Sequence, residues 1–272
     1  MQKFSATPRE MTGSLWRNRA LIRALIKREV IGRYRGSLMG VLWSFLHPLF
    51  MLTVYTFVFT VVFNARWGVE GGSKSEFALV LFAGLIVFNF FAECINKSPA
   101  LILSNVNYVK KVVFPLEILP WVSVGAAVFH GFVSLLVWLA AYMLFVGIPP
   151  ATALFLPLVM VPLVLLTAGL SWILASLGVF LRDVAQFIGI VTTTLMFVSP
   201  IFYPVTALPE EYRGLIYGNP LTSVIEQVRQ VLIWGLAPDY TLLSVSAVAS
   251  ACVAWCGFAW FQKTRKGFAD VL

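Results

Sequence analysis

The chain has 272 residues, of which 60% are hydrophobic and 12% are charged, and its formal net charge is +8. Soluble domains carry roughly 45–50% apolar and about 25% charged residues, so this composition excludes an ordinary soluble domain. One helical crossing of a bilayer core of about 30 Å requires about 20 apolar residues. Six apolar runs predict such crossings, at residues 38–63, 77–95, 118–146, 153–181, 184–202 and 242–261.

The distribution of the cations predicts the orientation of these crossings. Six spans put both termini on one side, and sixteen of the twenty Lys and Arg residues lie in the segments on that side. Only Arg66, Lys74, Arg213 and Arg229 lie on the other. Because basic residues are retained on the cytoplasmic side, both termini are predicted to be cytoplasmic. The positive charge is thereby accounted for by topology and gives no evidence for a nucleic-acid partner.

No segment outside the spans is long enough to bury a core of its own. We therefore predict an all-α integral membrane fold with a single transmembrane domain over residues 1–272. Residues 1–37 form a cytoplasmic N-terminus with an interface helix, residues 38–261 a six-helix membrane domain, and residues 262–272 a cytoplasmic tail.

Residues 15–34 show the pattern of an amphipathic helix lying flat at the membrane surface. One face carries Leu15, Leu21, Ile22, Leu25, Ile26 and Val30, and the neighbouring stripe carries Arg19, Arg23 and Lys27. Glu29 falls within the apolar face, and Arg33, four residues later, is its expected partner. Two interpretations remain open, a plain membrane anchor and an elbow that also contacts a partner protein.

The segment 98–120, between the second and third spans, is too polar and too rich in proline to insert. It contains Asn107, Tyr108, Lys110 and Lys111. Such a loop is either a docking surface for a cytoplasmic partner or a connector whose charges only set the topology.

On the outer side, residues 203–240 predict a short re-entrant or interfacial helix pair between spans five and six. Ser223 and Glu226 have the spacing of a capping box ahead of a helix at residues 224–234. That helix, at about 16 Å, is too short to cross. Glu226 and Arg229 are expected to pair at i, i+3.

The chain carries no phosphate-binding loop and no metal-binding signature, so we predict no catalytic, cofactor or metal site. The only histidines, His47 and His130, fall near the middle of spans. With no Asp, Glu or Lys near either midplane, they are predicted to be neutral and hydrogen-bonded, which disfavours a proton-coupled carrier. The interfacial carboxylates form no recognisable acid–base constellation, which disfavours a membrane enzyme acting on lipid-linked glycans.

Several motifs together resemble one family. The run RYRGSLMGVLWSFLHP at residues 33–48 is similar to the start of the first span in ABC transporter permeases that export bacterial polysaccharides. The runs KKVVFPLEILP (110–120), FLRD (180–183), SPIFYP (199–204) and Asn219-Pro220 resemble further positions of that family, in the same order. His47 departs from the pattern, because the family often has Asn before this proline.

The resemblance implies a transport subunit, not an enzyme. It implies a homodimer that works with two ATP-binding cassette subunits, which bind ATP and Mg²⁺. The expected activity is export of a lipid-linked polysaccharide such as O-antigen outward across the bacterial inner membrane. Capsular polysaccharide and teichoic acid remain alternative cargoes.

The resemblance also implies that the interface helix and the loop after span two contact the ATPase. The coupling residues would be Glu29, Arg33, Asn107, Tyr108, Lys110 and Lys111. Arg28, Arg33 and Arg35 would meet either a lipid diphosphate or ordinary headgroups.

Sugar C–H faces pack on aromatic rings, so aromatic residues can line a glycan path without reading one sugar sequence. The candidates near the outer half of spans one and five are Tyr55, Phe59, Phe197, Tyr203 and Trp234. The alternative for each is a position in an interfacial aromatic belt.

Overall fold

The computed structural model describes residues 5–62, 74–110 and 114–272, and this part of the chain is helical throughout, with short connections. Its α-helices are α1 (Pro8–Arg17), α2 (Arg19–Arg33), α3 (Trp43–Thr56), α4 (Lys74–Lys97), α5 (Val106–Lys110), α6 (Leu119–Phe145), α7 (Leu156–Phe180), α8 (Val184–Val198), α9 (Glu210–Tyr217), α10 (Pro220–Leu232), α11 (Tyr240–Thr264) and α12 (Phe268–Val271). A π-helical stretch, Phe57–Val62, continues α3.

Within the described ranges, five helical segments are long and apolar enough to cross a membrane, which confirms a multi-pass membrane protein. They are Gly40–Phe59, Glu76–Ala100, Leu116–Phe145, Ala151–Phe180 and Tyr240–Val271. The remaining predicted span is the 15-residue α8, which is about 22 Å long and therefore shorter than the bilayer core. It ends because Pro200 disfavours a helical conformation at Ser199, whose ψ is 146°. The sixth crossing stays a prediction.

The helix α4 lies at the centre of the bundle and contacts α3, α6, α7, α8 and α10. Two buried tryptophans connect elements of the bundle by hydrogen bonds. The Nε1–H of Trp138 donates to the carbonyl of Leu79 at 2.9 Å, and that of Trp172 donates to the carbonyl of Glu117 at 3.0 Å. Each indole is thus buried with its polar group satisfied, which an apolar surrounding requires.

The helices α7 and α11 touch along their backbones. A Cβ atom added at Gly257 would lie 2.1 Å from the carbonyl oxygen of Gly169, closer than atoms can approach. Small residues at a membrane helix interface allow this proximity, which increases the packing attraction between the helices. These two glycines therefore set the distance between α7 and α11.

Gly257→Ala is expected to destabilise the protein, because a single methyl group must push α7 and α11 apart. Overpacking of this kind typically costs about 1–3 kcal/mol. Gly131→Ala is the matched control, since nothing lies within 4 Å of a Cβ at that position in α6. Thermal melting of the detergent-solubilised variants should show a drop only for Gly257→Ala, and equal melting temperatures would contradict the assignment.

The N-terminal region differs from the single helix predicted over residues 15–34. It forms two helices that meet at Asn18, whose side-chain amide donates to the carbonyl of Ser14 at 2.9 Å. Asparagine competes for local backbone hydrogen bonds in this way and interrupts helices. Of the predicted apolar face, Ile22 and Leu25 are buried against Ile118 and Val122 at the start of α6, whereas Leu21 is exposed.

The outer helix pair is α9 and α10, and the predicted capping box is wrong. The helix α10 begins at Pro220, and the side chain of Asn219 caps it by accepting from the Leu221 amide at 3.0 Å. Ser223 lies within the first turn and donates to the Pro220 carbonyl. Asparagine is a favourable capping residue, and proline is favourable at the first helical position. Because Asn219 and Pro220 precede Ser223, the helix begins with them.

Candidate functional site

A polar cavity of about 930 Å³ lies between α2, α3, α4 and α6. We call the end of the bundle that contains this cavity, α2 and α5 the basic end. Along α4 the cavity is lined by Asn89, Glu93, Asn96 and Lys97. These positions have i, i+4, i+7 and i+8 spacing, which places them on one helical face. The helix α4 thus turns a polar stripe toward the cavity although its mean composition is apolar.

The cavity's other walls are also polar. The helix α6 contributes His130 and Ser134, and α3 contributes Ser44 and His47. Amide, hydroxyl and imidazole groups of this kind exchange hydrogen bonds with the hydroxyls of a sugar. Sequence reasoning missed this cavity, although the spacing of the polar residues in α4 was a readable signal.

At the centre of the cavity wall, the Glu93 carboxylate joins three elements. Its Oε1 lies 2.9 Å from Nδ1 of His130 and 2.5 Å from Nη1 of Arg33. The prediction that no acid lies near the histidines is therefore wrong for His130, whose hydrogen bonding is confirmed. The predicted pairing of Arg33 with Glu29 is also wrong, because Arg33 reaches across to α4 and Glu29 binds Lys97 instead.

Tyr34, directly after α2, closes one side of this cluster with its ring edge-on to His130 at a centroid distance of 6.3 Å. Burial raises the pKa of Tyr34, with Arg33 opposing the shift and Glu93 adding to it. The phenol consequently stays protonated at neutral pH and is available as a hydrogen-bond donor inside the cavity.

The predicted coupling loop lies against the interface helix. The ring of Tyr108 in α5 stacks on Phe114 at 4.1 Å, and its hydroxyl accepts from Nη1 of Arg28 at 2.7 Å. Asn107 and Lys110 are exposed beside Tyr108, whereas Lys111 lies outside the described residues. Arg28 and Arg33 thus contact protein groups. Arg35 follows α2 and is exposed.

A buried ion pair connects this loop to both ends of the chain. Glu117 Oε2 accepts from Nη1 of Arg265 at 2.6 Å, and its Oε1 accepts from the Ser14 hydroxyl at 3.1 Å. Arg265 also donates to the Phe114 carbonyl at 2.8 Å. The segment after α11, the helix α1 and the loop before α6 therefore form one connected unit.

At the opposite end, three of the five predicted path residues contact one further aromatic residue, Phe202. Phe59 stacks on Phe202 at 5.3 Å, and Tyr55 and Phe197 approach it at 6.4 and 5.9 Å. We call Tyr55, Phe59, Phe197 and Phe202 the aromatic cluster.

Two predicted path residues lie outside the aromatic cluster. The hydroxyl of Tyr203 donates to the carbonyls of Phe197 and Val198, so it caps the end of α8. Trp234 follows α10 and takes part in none of the ring contacts given above. Phe202 was missed by sequence reasoning because its ring contacts depend on how α3 and α8 pack against the segment that contains it.

Arg229 of α10 is fully buried between the outer helix pair and the spans. Its guanidinium donates to the carbonyls of Val80, Pro200 and Ile201, at 3.1, 2.6 and 2.9 Å. The predicted pairing with Glu226 is confirmed at 2.9 Å. One side chain thus connects α10, α4 and the segment after α8.

The chain is similar in sequence to several proteins named as permeases. Two proteins named O-antigen export system permease protein RfbA, from Klebsiella pneumoniae, are 26% identical over 254 residues, or 93% of this chain and 95% of theirs. A protein of the same name from Myxococcus xanthus is 33% identical over 106 residues, covering 39% of this chain and 38% of that protein.

The profile of the family described as ABC-2 type transporter matches residues 20–233, a region that includes the cavity, the loop between α4 and α6, and the aromatic cluster. This family is a membrane permease family without an ATPase domain of its own, so its members operate with ATP-binding partner subunits. The chain therefore belongs to the ABC-2 type transporter family, as a transport subunit and not an enzyme.

Proposed function

We propose that the chain is the membrane subunit of an ATP-driven exporter that moves a lipid-linked O-antigen glycan outward across the bacterial inner membrane, with both termini cytoplasmic. The basic end then faces the cytoplasm, in accordance with the retention of basic residues there. The relatives' printed name supports this cargo over capsular polysaccharide and teichoic acid, and the residue chemistry of the cavity fits a glycan in general.

The observation that carries the proposal is that α3 runs from the polar cavity to the aromatic cluster. Trp43 and His47 line the cavity, and Tyr55, about 12 Å further along the helix, belongs to the cluster. A glycan cannot cross hydrocarbon unaided, so it requires polar groups and ring faces along its route. This helix offers both kinds of surface in sequence.

A second copy of the chain would complete this route. Large apolar side chains are exposed on α3, at Phe50 and Val54, and at Phe57 directly after it, and so are Phe187 and Phe197 of α8. We propose that these faces meet their equivalents in a homodimer and enclose the path. Asn107, Tyr108 and Lys110, exposed or half-buried at the basic end, then form with Lys111 the surface that receives each ATP-binding subunit.

Export should require both surfaces of the path. In vesicles containing the permease and its ATP-binding partner, Asn89→Leu and Phe202→Ala are each expected to reduce ATP-driven movement of undecaprenyl-linked O-antigen about tenfold. Such a loss corresponds to about 1.4 kcal/mol in the transport barrier, the scale of one lost polar or stacking contact.

Ser244→Leu, on an exposed position of α11, is the control and should transport normally. Normal movement of O-antigen by Asn89→Leu and Phe202→Ala would contradict the path. If the wild-type complex moved teichoic acid but not O-antigen, the proposed cargo would be wrong and teichoic acid would take its place.

A further inference from the structure

The contact between α2 and α4 is built from two oppositely directed ion pairs. Glu29 and Arg33 are four residues apart on α2, and Glu93 and Lys97 are four residues apart on α4. Glu29 contacts Lys97, while Arg33 Nη1 lies 2.5 Å from Glu93 Oε1. Each helix thus presents one acid and one base to the other, and the two helices run antiparallel where they meet. We call these four residues the crossed clasp.

The charge order of the crossed clasp permits one alignment only. A slip of α2 by one turn in one direction would bring Glu29 opposite Glu93. A slip in the other direction would bring Arg33 opposite Lys97. Both displacements replace attraction with repulsion, and juxtaposed like charges select against a wrong alignment. The crossed clasp therefore specifies where α2 sits along α4.

The remainder of α2 is held differently. Its first half packs on α6, where Ile22 and Leu25 are buried beside Val122. A Cβ atom added at Gly125 of α6 would lie 2.2 Å from Cδ1 of Ile26, so the two helices are in close contact there. The contacts of the second half of α2 with α4 are thus the two ion pairs, and Val30, between Glu29 and Arg33 in the sequence, is the buried apolar residue of this half.

All four residues of the crossed clasp also line the polar cavity. Their side chains are partly exposed, from 24% for Glu29 to 54% for Arg33, so water reaches the pairs. Ion pairs in contact with water are individually weak, typically about 0.2–1 kcal/mol. A contact of this strength defines a position and still opens under a modest force.

We propose that the crossed clasp positions the second half of α2 as a movable wall of the cavity, which opens when Glu29 and Arg33 part from Lys97 and Glu93. This inference rests on the proposed function for its purpose, since α2 lies beside Tyr108, within the surface assigned to the ATP-binding partner. Movement of that partner would then be transmitted through α2 to the cavity. Glu29, Arg33, Glu93 and Lys97 are positioning residues in this scheme.

The test measures access to the cavity from the aqueous side, without substrate or ATP. Ser134, which lines the cavity on α6, is changed to cysteine in full-length permease whose native cysteines are replaced by alanine. The rate of labelling by a membrane-impermeant maleimide is then followed in inverted membrane vesicles. Lys97→Glu should raise this rate about fivefold, the effect of roughly 1 kcal/mol on the opening equilibrium.

The charge swap E29K/K97E should return labelling to near the wild-type rate, because it restores an attractive pair in the same place. Lys27→Glu, an exposed position on α2, carries the same change of net charge and should leave labelling unchanged. If Lys97→Glu prevents folding, Lys97→Gln takes its place with a smaller expected rise of about twofold.

Wild-type labelling rates in Lys97→Glu or Lys97→Gln would overturn the proposal, and so would a swap variant that labels as fast as the single substitution. Export by the complete complex is measured in parallel and should fall and recover with the same variants. A wild-type complex that moves no glycan would refute the proposed cargo but not the role of the crossed clasp, since the labelling result does not depend on transport.

Discussion

Arg229→Met is expected to lower the melting temperature of the permease by on the order of 10 °C. The substitution removes the donor that Arg229 supplies to the carbonyls of Pro200 and Ile201, which follow α8, whereas the Val80 carbonyl keeps its bond within α4. Each buried acceptor left without a donor costs about 1–3 kcal/mol. A loss of about 3 kcal/mol or more corresponds to a shift of this size in a protein of this length. Thermal melting followed by size-exclusion chromatography measures it.

Arg229→Lys tests the geometry of the same site. An ammonium group is a point charge without the planar fork of the guanidinium, so it cannot serve carbonyls on two sides at once. Its melting temperature should fall between those of wild type and Arg229→Met. Arg213→Met is the matched control, because Arg213 also donates to two loop carbonyls but is partly exposed on α9. Equal shifts for Arg213→Met and Arg229→Met would refute the special role of Arg229.

Glu117→Leu should cost about 3–5 kcal/mol and release both ends of the chain from the coupling loop. The cost is large because Arg265 keeps its buried charge and loses the carboxylate that compensates it. The hydrogen bond from Ser14 is lost as well. We expect this variant to melt early and to co-purify poorly with the ATP-binding partner, since α1 and the loop no longer hold each other.

The double variant E117L/R265M provides the decisive comparison for this pair. Two apolar side chains in place of a buried ion pair are often tolerated, so the double variant should be more stable than Glu117→Leu alone. Glu210→Leu serves as the control, because the Glu210 side chain is 89% exposed and its pair with Arg213 is long, at 3.8 Å. If the stability lost in E117L/R265M equals the sum of the losses in the two single variants, Glu117 and Arg265 act independently, and their proposed linking role is wrong.

The membrane class, the helical fold and the family were readable from the sequence, because long apolar runs and ordered motifs are local signals. The apolar face of α2 and the pairing of Glu226 with Arg229 were readable for the same reason, since helical spacing determines both. The break at Asn18 and the start of α10 at Pro220 show the limit of that reasoning. At each of these positions, residues that can cap a helix lie a few residues apart, and the residue that caps better determines where the helix begins.

The candidate site was harder to predict from the sequence than the fold. The contacts of Glu93 with Arg33 and His130 join positions 60 and 37 residues away. No local pattern fixes which residues meet across such distances. The partners of Arg33 were therefore assigned within its own helix, where spacing alone offers a candidate. Phe202 escaped notice because a ring cluster depends on how α3 and the segment after α8 come together.

The glycine contact between α7 and α11 has a consequence for how such a machine can work. The backbones of α7 and α11 are in contact at Gly169 and Gly257, which leaves little room for sliding, so we expect the two helices to move as one unit. We therefore expect opening and closing of the cavity to involve other elements, the second half of α2 among them. On this expectation α7 and α11 form a rigid frame, against which the elements that line the cavity are displaced.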